Sequence, residues 1–80
     1  MSQEEIFKAL MSVFSEIVPE VDVSAATPQD SLRDLGANSI DRADIITETM
    51  EAAGVSLPMV RFADAQSIGD IVRIIDEARS

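Results

Sequence analysis

Ile6, Leu10, Val13 and Ile17 recur at steps of three and four residues near the start of the chain, the spacing that lines apolar side chains along one face of an α-helix. Ser2 followed by Glu5 has the form of a capping box, in which each side chain satisfies an amide at the helix start. A first helix is therefore predicted over residues 2–18, stopped by Pro19. Over residues 19–37 the periodicity lapses. This stretch holds two prolines, a Thr27-Pro28 pair suited to opening a single helical turn, and Leu32 and Leu35 as candidate buried anchors, so it reads as a long ordered loop. After Gly36, either Asn38 or Ser39 can cap a second helix, whose apolar stripe of Ala43, Ile46, Met50 and Ala53 ends at Gly54. The predicted span is residues 39–53, with Ile45 at the edge of the stripe and able to face either side.

Pro58 forbids a continuation, and residues 60–65 leave room for one short helix. Ser67, with Asp70 three residues on, opens a last amphipathic helix carrying Ile68, Ile71, Val72, Ile75 and Ala78 on its apolar face. No strand-like alternation, repeat or linker interrupts the pattern. The expectation is a single all-α domain over residues 1–80, a four-helix bundle of three longer helices and one short one. Its first two helices are joined by a loop of about eighteen residues, a length that usually signals function in so small a domain. The small side chains of Ala52, Ala53 and Ala63 are expected to leave room for a deformable apolar cleft between the helices.

Composition narrows the function. Hydrophobic residues make up 46% of the 80 residues, too many for intrinsic disorder, and no apolar run approaches the ~20 residues of a membrane span. Six Lys plus Arg against fifteen Asp plus Glu give a net charge of −9. A surface of that sign repels nucleic acid and anionic lipid and attracts basic protein surfaces, so neither nucleic acid nor a membrane is an expected partner. There is no cysteine and no histidine, which removes thiolate zinc sites, cysteine nucleophiles and the serine-histidine-aspartate arrangement. The N-terminal segment is acidic and lacks the basic and apolar regions of a secretory signal. A cytoplasmic location is the expectation, and no enzymatic activity is assigned.

Around the second helix, at about 100° per residue, Asp41, Asp44, Glu48 and Glu51 share one stripe, nearly opposite the apolar one. On most proteins such a stripe is only the solvated face of an amphipathic helix. Here it adjoins the string Gly36-Ala37-Asn38-Ser39-Ile40, which sets a serine hydroxyl near the unpaired amides and positive dipole end of that helix, where an attached phosphate is favoured. The plain alternative for Ser39 is an ordinary first-turn serine. A hydrolase serine would need a base, and only Lys8 or a carboxylate is on offer.

The stretch from Thr27 to Ile46, together with the Gly-Val-x-Leu-Pro exit at residues 54–58 and the start of the last helix at residues 66–72, resembles the acyl carrier proteins, and the likeness runs over essentially the whole chain. The resemblance implies a four-helix bundle of acyl-carrier type. It implies that Ser39 carries 4'-phosphopantetheine, installed from coenzyme A by a phosphopantetheinyl transferase, whose terminal thiol holds acyl groups as thioesters. It also implies that Ile40, Asp41, Asp44, Glu48 and Glu51 recognise partner enzymes through their arginines and lysines. The first of two departures from the family pattern is at Asn38, which stands where an aspartate is usual, while the literal Asp-Ser-Leu string falls instead at residues 30–32. Ser31 is thus the rival attachment site, disfavoured because Leu32 and Leu35 beside it are needed as anchors.

The second departure is Arg42, a cation in the first turn of a helix, where the dipole disfavours it. Either it is exposed or paired with a neighbouring carboxylate, or it approaches the arm's phosphate or a partner protein. The strings around Arg42 and over residues 57–72 are also similar to the discrete donor carriers of polyketide β-branching cassettes. That narrower likeness implies an acetyl cargo and a hydroxymethylglutaryl-synthase-like partner, besides an acyl-loading enzyme, ketosynthase or decarboxylase, with the carrier acting as a monomer. A fatty-acid carrier and an unmodified helical adaptor are the alternatives.

Overall fold

The computed structural model describes residues 2–79. Three α-helices and one 3-10 turn make up its regular structure: α1 is Gln3–Ile17, α2 is Ser39–Ala53, the 3-10 turn is Met59–Phe62, and α3 is Ile68–Arg79. Among the described residues there is no strand. α1 packs against both other helices, and α2 meets α3 more sparingly. The all-α arrangement is the one expected.

Each helix begins where its capping side chain stands. Ser2 Oγ accepts from the amide of Glu5, and the Glu5 carboxylate accepts from the amide of Ser2, completing the capping box of α1. At α3, Ser67 Oγ accepts from the amide of Asp70, and Asp70 Oδ2 accepts in return from the amides of Gln66 and Ser67. Those backbone donors, followed by Arg73 at 3.0 Å from Oδ1, hold the Asp70 carboxyl below its ordinary value. A depressed folded pKa stabilises the native state above the unfolded pKa, and that contribution is lost as pH falls through the lower, folded value. Asp70→Asn is therefore expected to melt a few degrees below the parent protein at neutral pH. Thermal melts should show the gap closing as pH falls below about 3.9, the ordinary aspartate value.

The core forms one cluster. Ile6, Leu10 and Phe14 of α1, Ile45, Ile46 and Met50 of α2, Phe62 of the turn, and Ile68, Ile71, Val72 and Ile75 of α3 are all buried, with Leu32 and Ala37 entering from the loop. Phe14 is the largest side chain with no exposure at all. The periodicity alone points instead to Val13 and Ile17, which are only half-buried. The stripe of α1 is turned toward Phe14 because α2 and α3 cover that side. Ile45, ambiguous from its spacing, is fully buried. Thr49 joins it in the core, its hydroxyl donating to the carbonyl of Ile45 at 2.7 Å, and no buried side-chain nitrogen or oxygen among the described residues is left unpaired.

Four expectations are corrected. The short helix does not span residues 60–65: it is a 3-10 turn starting one residue earlier, because only Phe62 finds a place in the core while Val60 stays 74% exposed. Ala78 is exposed, the core contacts of α3 having ended at Ile75. Ala52 and Ala63 also face solvent, and Ala53 is half-buried against the core, so these three do not hollow out a cleft. Finally, the Thr27-Pro28 pair opens a tight turn closed by Asp30, whose amide donates to the Thr27 carbonyl and whose carboxylate accepts from the Thr27 amide. The helical turn comes slightly later, over residues 31–36.

The loop before α2 is ordered by more than its leucines. Leu32 is buried, as anticipated, whereas Leu35 is only half-buried against the core. The first two amides of α3 also reach into the loop, Ile68 donating to the carbonyl of Asp30 at 2.8 Å and Gly69 to that of Pro28 at 2.9 Å. Gly69 permits that approach, since a Cβ there would sit 3.2 Å from the Pro28 oxygen. Helix-start amides that lack an internal partner are thereby satisfied by the loop itself.

Candidate functional site

The site is built around the entry to α2. Ser31 Oγ accepts from the amide of Asp34 and so opens the single turn over residues 31–36. That turn closes with the Gly36 amide on the carbonyl of Arg33 and the Ala37 amide on that of Leu32, both at 3.0 Å. This pair of bonds is the Schellman arrangement, and it requires its closing residue to adopt positive φ. Gly36 does so, at +107°.

Asn38 follows in extended conformation and caps α2, its Oδ1 accepting from the Asp41 amide at 2.8 Å. Of the two candidate caps, Asn38 is the one used. Ser39 is consequently the first residue of the helix. Its side chain is exposed and engages no partner among the described residues. The backbone amides of Ser39 and Ile40 likewise have no protein acceptor. A free hydroxyl, two free amides and the positive end of the α2 dipole converge there, and this set suits a covalently attached, singly charged phosphodiester. Ser31 differs: it is half-buried and its oxygen already accepts from the Asp34 amide.

The predicted recognition residues flank the same entry. Ile40, beside Ser39, is 72% exposed. Asp44, Glu48 and Glu51 are exposed and Asp41 half-exposed. None of these four carboxylates takes part in an ion pair or side-chain hydrogen bond among the described residues. The ion pairs shown lie elsewhere: Lys8 with Glu4 on α1, and Arg73 with Asp70 and Glu77 on α3. The α2 stripe is thus uncompensated negative charge running away from Ser39.

Arg42 meets neither of the ordinary expectations. It is half-buried rather than exposed, and no carboxylate among the described residues pairs with it. Its Nη1 donates to the carbonyl of Ala37 at 3.0 Å. Sequence reasoning missed this because the acceptor is a backbone oxygen in irregular chain, which no residue pattern marks.

Beside Arg42 lies a surface concavity of about 440 Å³. Leu32, Ile46, Phe62 and Ile71 form its floor, and Arg33 and Arg42 stand at its rim. The cleft expected from small alanines is therefore real but differently placed, between the loop, α2 and the start of α3. It is open because the loop crosses there rather than because side chains are small. Among the described residues no group of acidic side chains is arranged to hold a metal ion, and no helix is long and apolar enough to cross a membrane.

Residues 8–75 match the family profile described as the phosphopantetheine attachment site. The chain is 33% identical over 75 residues to the polyketide biosynthesis acyl-carrier-protein AcpK of Bacillus subtilis, covering 94% of this chain and 92% of that one. It is 35% identical over 77 residues to an acyl carrier protein of Thermotoga maritima, covering 95% and 94%. Among solved structures, a chain in the crystal structure of the curacin biosynthetic pathway HMG synthase in complex with acetyl donor-ACP superposes with a TM-score of 0.84. That chain is 35% identical to this one, and the match covers 100% of both.

Proposed function

Because the chain belongs to the acyl carrier protein family, marked by the phosphopantetheine attachment site, we propose that Ser39 is its attachment residue and that it donates acetyl groups to a β-branching step in polyketide biosynthesis. The family's prosthetic group is 4'-phosphopantetheine, which when bound supplies a terminal thiol that carries an acyl group as a thioester. The protein's own residues do the remaining work. Asn38 fixes the start of α2, Ser39 presents the hydroxyl to a phosphopantetheinyl transferase, and the free amides of Ser39 and Ile40 face the charge that attachment brings.

The observation that carries this reading is the contrast between the two serines: Ser39 Oγ is exposed and without a partner, while Ser31 Oγ is consumed in a cap. The donor role is supported by the full-length likeness to a chain of the acetyl donor-ACP complex. A hydroxymethylglutaryl-synthase-like enzyme is accordingly the proposed partner, alongside the transferase and an acyl-loading enzyme, ketosynthase or decarboxylase. To test the role, the protein is loaded with acetyl and with long acyl chains and offered to such a synthase and to a fatty-acid ketosynthase. Preferential acetyl transfer to the synthase is expected. Preferential use by the ketosynthase with long chains would instead mark a fatty-acid carrier.

Docking is assigned to Ile40, Asp41, Asp44, Glu48 and Glu51, an exposed apolar side chain at the head of an unpaired acidic stripe. Interaction of such a stripe with a basic surface speeds association and is screened by salt. Reversing two charges, Asp44→Lys with Glu48→Lys, is expected to weaken transfer to the synthase about 10- to 100-fold at low ionic strength. The deficit should shrink as salt is raised, read as kcat/KM for the loaded carrier. An undiminished kcat/KM would remove the stripe from the interface.

A further inference from the structure

The position of Arg42 calls for a cause. A cation in the first turn of a helix opposes the dipole, and this one sits beside Asp41 and two residues from Asp44 without pairing to either. Its guanidinium turns back across the helix start to the carbonyl of Ala37, two residues before Ser39. Ala37 is itself buried, at 3% exposure, and Arg42 is the only donor on its oxygen among the described residues. An ionic donor on a carbonyl sheltered from water makes a stronger bond than a neutral one and leaves an unsatisfied acceptor when removed.

The segment feeding Ser39 is thus tied at every residue. Gly36 is bonded to Arg33, Ala37 is bonded through its amide to Leu32 and through its carbonyl to Arg42, and Asn38 is bonded to Asp41. Most of these bonds stay within the loop or within the cap. The Arg42 bond joins a side chain from the body of α2 to the peptide unit that precedes the cap, and so ties the angle at which the loop enters the helix to α2 itself.

We propose that Arg42 is a positioning residue for the attachment site: by clamping the Ala37 carbonyl it holds Ser39 in the orientation from which the arm is installed, and it acts through geometry rather than by docking a partner. The proposal rests on Ser39 being the attachment residue, and its test separates the two claims. The sign of the effect distinguishes the roles. On a face that meets a basic enzyme, a cation hinders docking, so if Arg42 mattered through its charge, removing it would lower KM in a salt-dependent way. A clamp that pre-organises the reacting hydroxyl shows in kcat instead.

The variants are Arg42→Met, which keeps an unbranched apolar stem but no donor, and Arg42→Lys, which keeps a charged donor. Each is purified in the unmodified form and treated with coenzyme A and a phosphopantetheinyl transferase, while backbone hydrogen exchange is followed by NMR. For Arg42→Met, exchange at the hydrogen-bonded amides of Ala37, Asp41 and Arg42 is expected to quicken about tenfold while that of α1 and α3 is unchanged. Its kcat for arm attachment should fall about three- to tenfold at unaltered KM for the carrier, with Arg42→Lys recovering most of the loss. Unchanged exchange at the helix start, or an effect confined to KM that fades with added salt, overturns the proposal. Should the arm attach elsewhere than Ser39, the attachment reading fails, and the exchange data still report whether the clamp exists.

Discussion

Ser39→Ala is expected to take up no phosphopantetheine at all, whereas Ser31→Ala should load at close to the parent rate and melt at a lower temperature. The two serines differ in what their oxygens already do. Ser31 Oγ holds the Asp34 amide at 3.0 Å and starts the turn that ends at Gly36, so its removal costs about 1 kcal/mol, as loss of a capping side chain does. For a domain of this size that corresponds to a drop of about 4–8 °C. Ser39 Oγ holds nothing, and its loss leaves stability nearly untouched while removing the hydroxyl. Attachment and melting temperature therefore move oppositely in the two variants. Intact-mass analysis after transferase treatment, paired with thermal melts, reads both, and loading of Ser39→Ala would show that another residue carries the arm.

Phe14→Ala is expected to bring the protein to the edge of unfolding. Phe14 is the largest side chain completely enclosed by the three helices, and truncating a buried phenylalanine costs about 3–5 kcal/mol once the cavity left behind is included. A chain of 80 residues has a total stability of about 4–12 kcal/mol. The melting temperature should therefore fall by about 15–30 °C, as followed by far-ultraviolet circular dichroism. Val13→Ala provides the control. The spacing along α1 nominates Val13 equally, yet it is only half-buried, and its truncation should cost under about 1.5 kcal/mol. Equal losses for the two would mean that α1 is rotated relative to the arrangement described.

This pair of residues also shows where a sequence is legible. Capping is local chemistry, and Ser2 with Glu5, Asn38, and Ser67 with Asp70 place the starts of the three helices, and Gly54 the end of α2, within a residue or so. The stripe of Asp41, Asp44, Glu48 and Glu51 is equally local, because it depends only on helical periodicity. Which side of α1 meets the core is not local: it is decided by where α2 and α3 lie, so Val13 and Phe14 exchange roles. Thr49 escapes a hydropathy reading because its hydroxyl is satisfied inside its own helix by Ile45.

Irregular backbone is harder still to foresee. The clamp from Arg42 to Ala37 and the bonds from Ile68 and Gly69 to the loop all end on carbonyls, and a carbonyl has no letter in a sequence. The cleft follows from the same loop. Small alanines are the feature of the sequence that suggests an open space, but Ala52 and Ala63 face water, and the concavity lies instead where residues 31–34 pass over Ile46 and Phe62. What the sequence conveys well is the position of Ser39 at the head of an acidic helix, since glycine, cap and stripe are adjacent along the chain.

The direct examination of that position is to convert the unaltered protein with coenzyme A and a broad-specificity transferase, then fragment it in the mass spectrometer. One phosphopantetheine per chain, carried on Ser39, is the predicted result. A chain that gains no mass, or whose modified fragment contains Ser31 but not Ser39, would contradict the account.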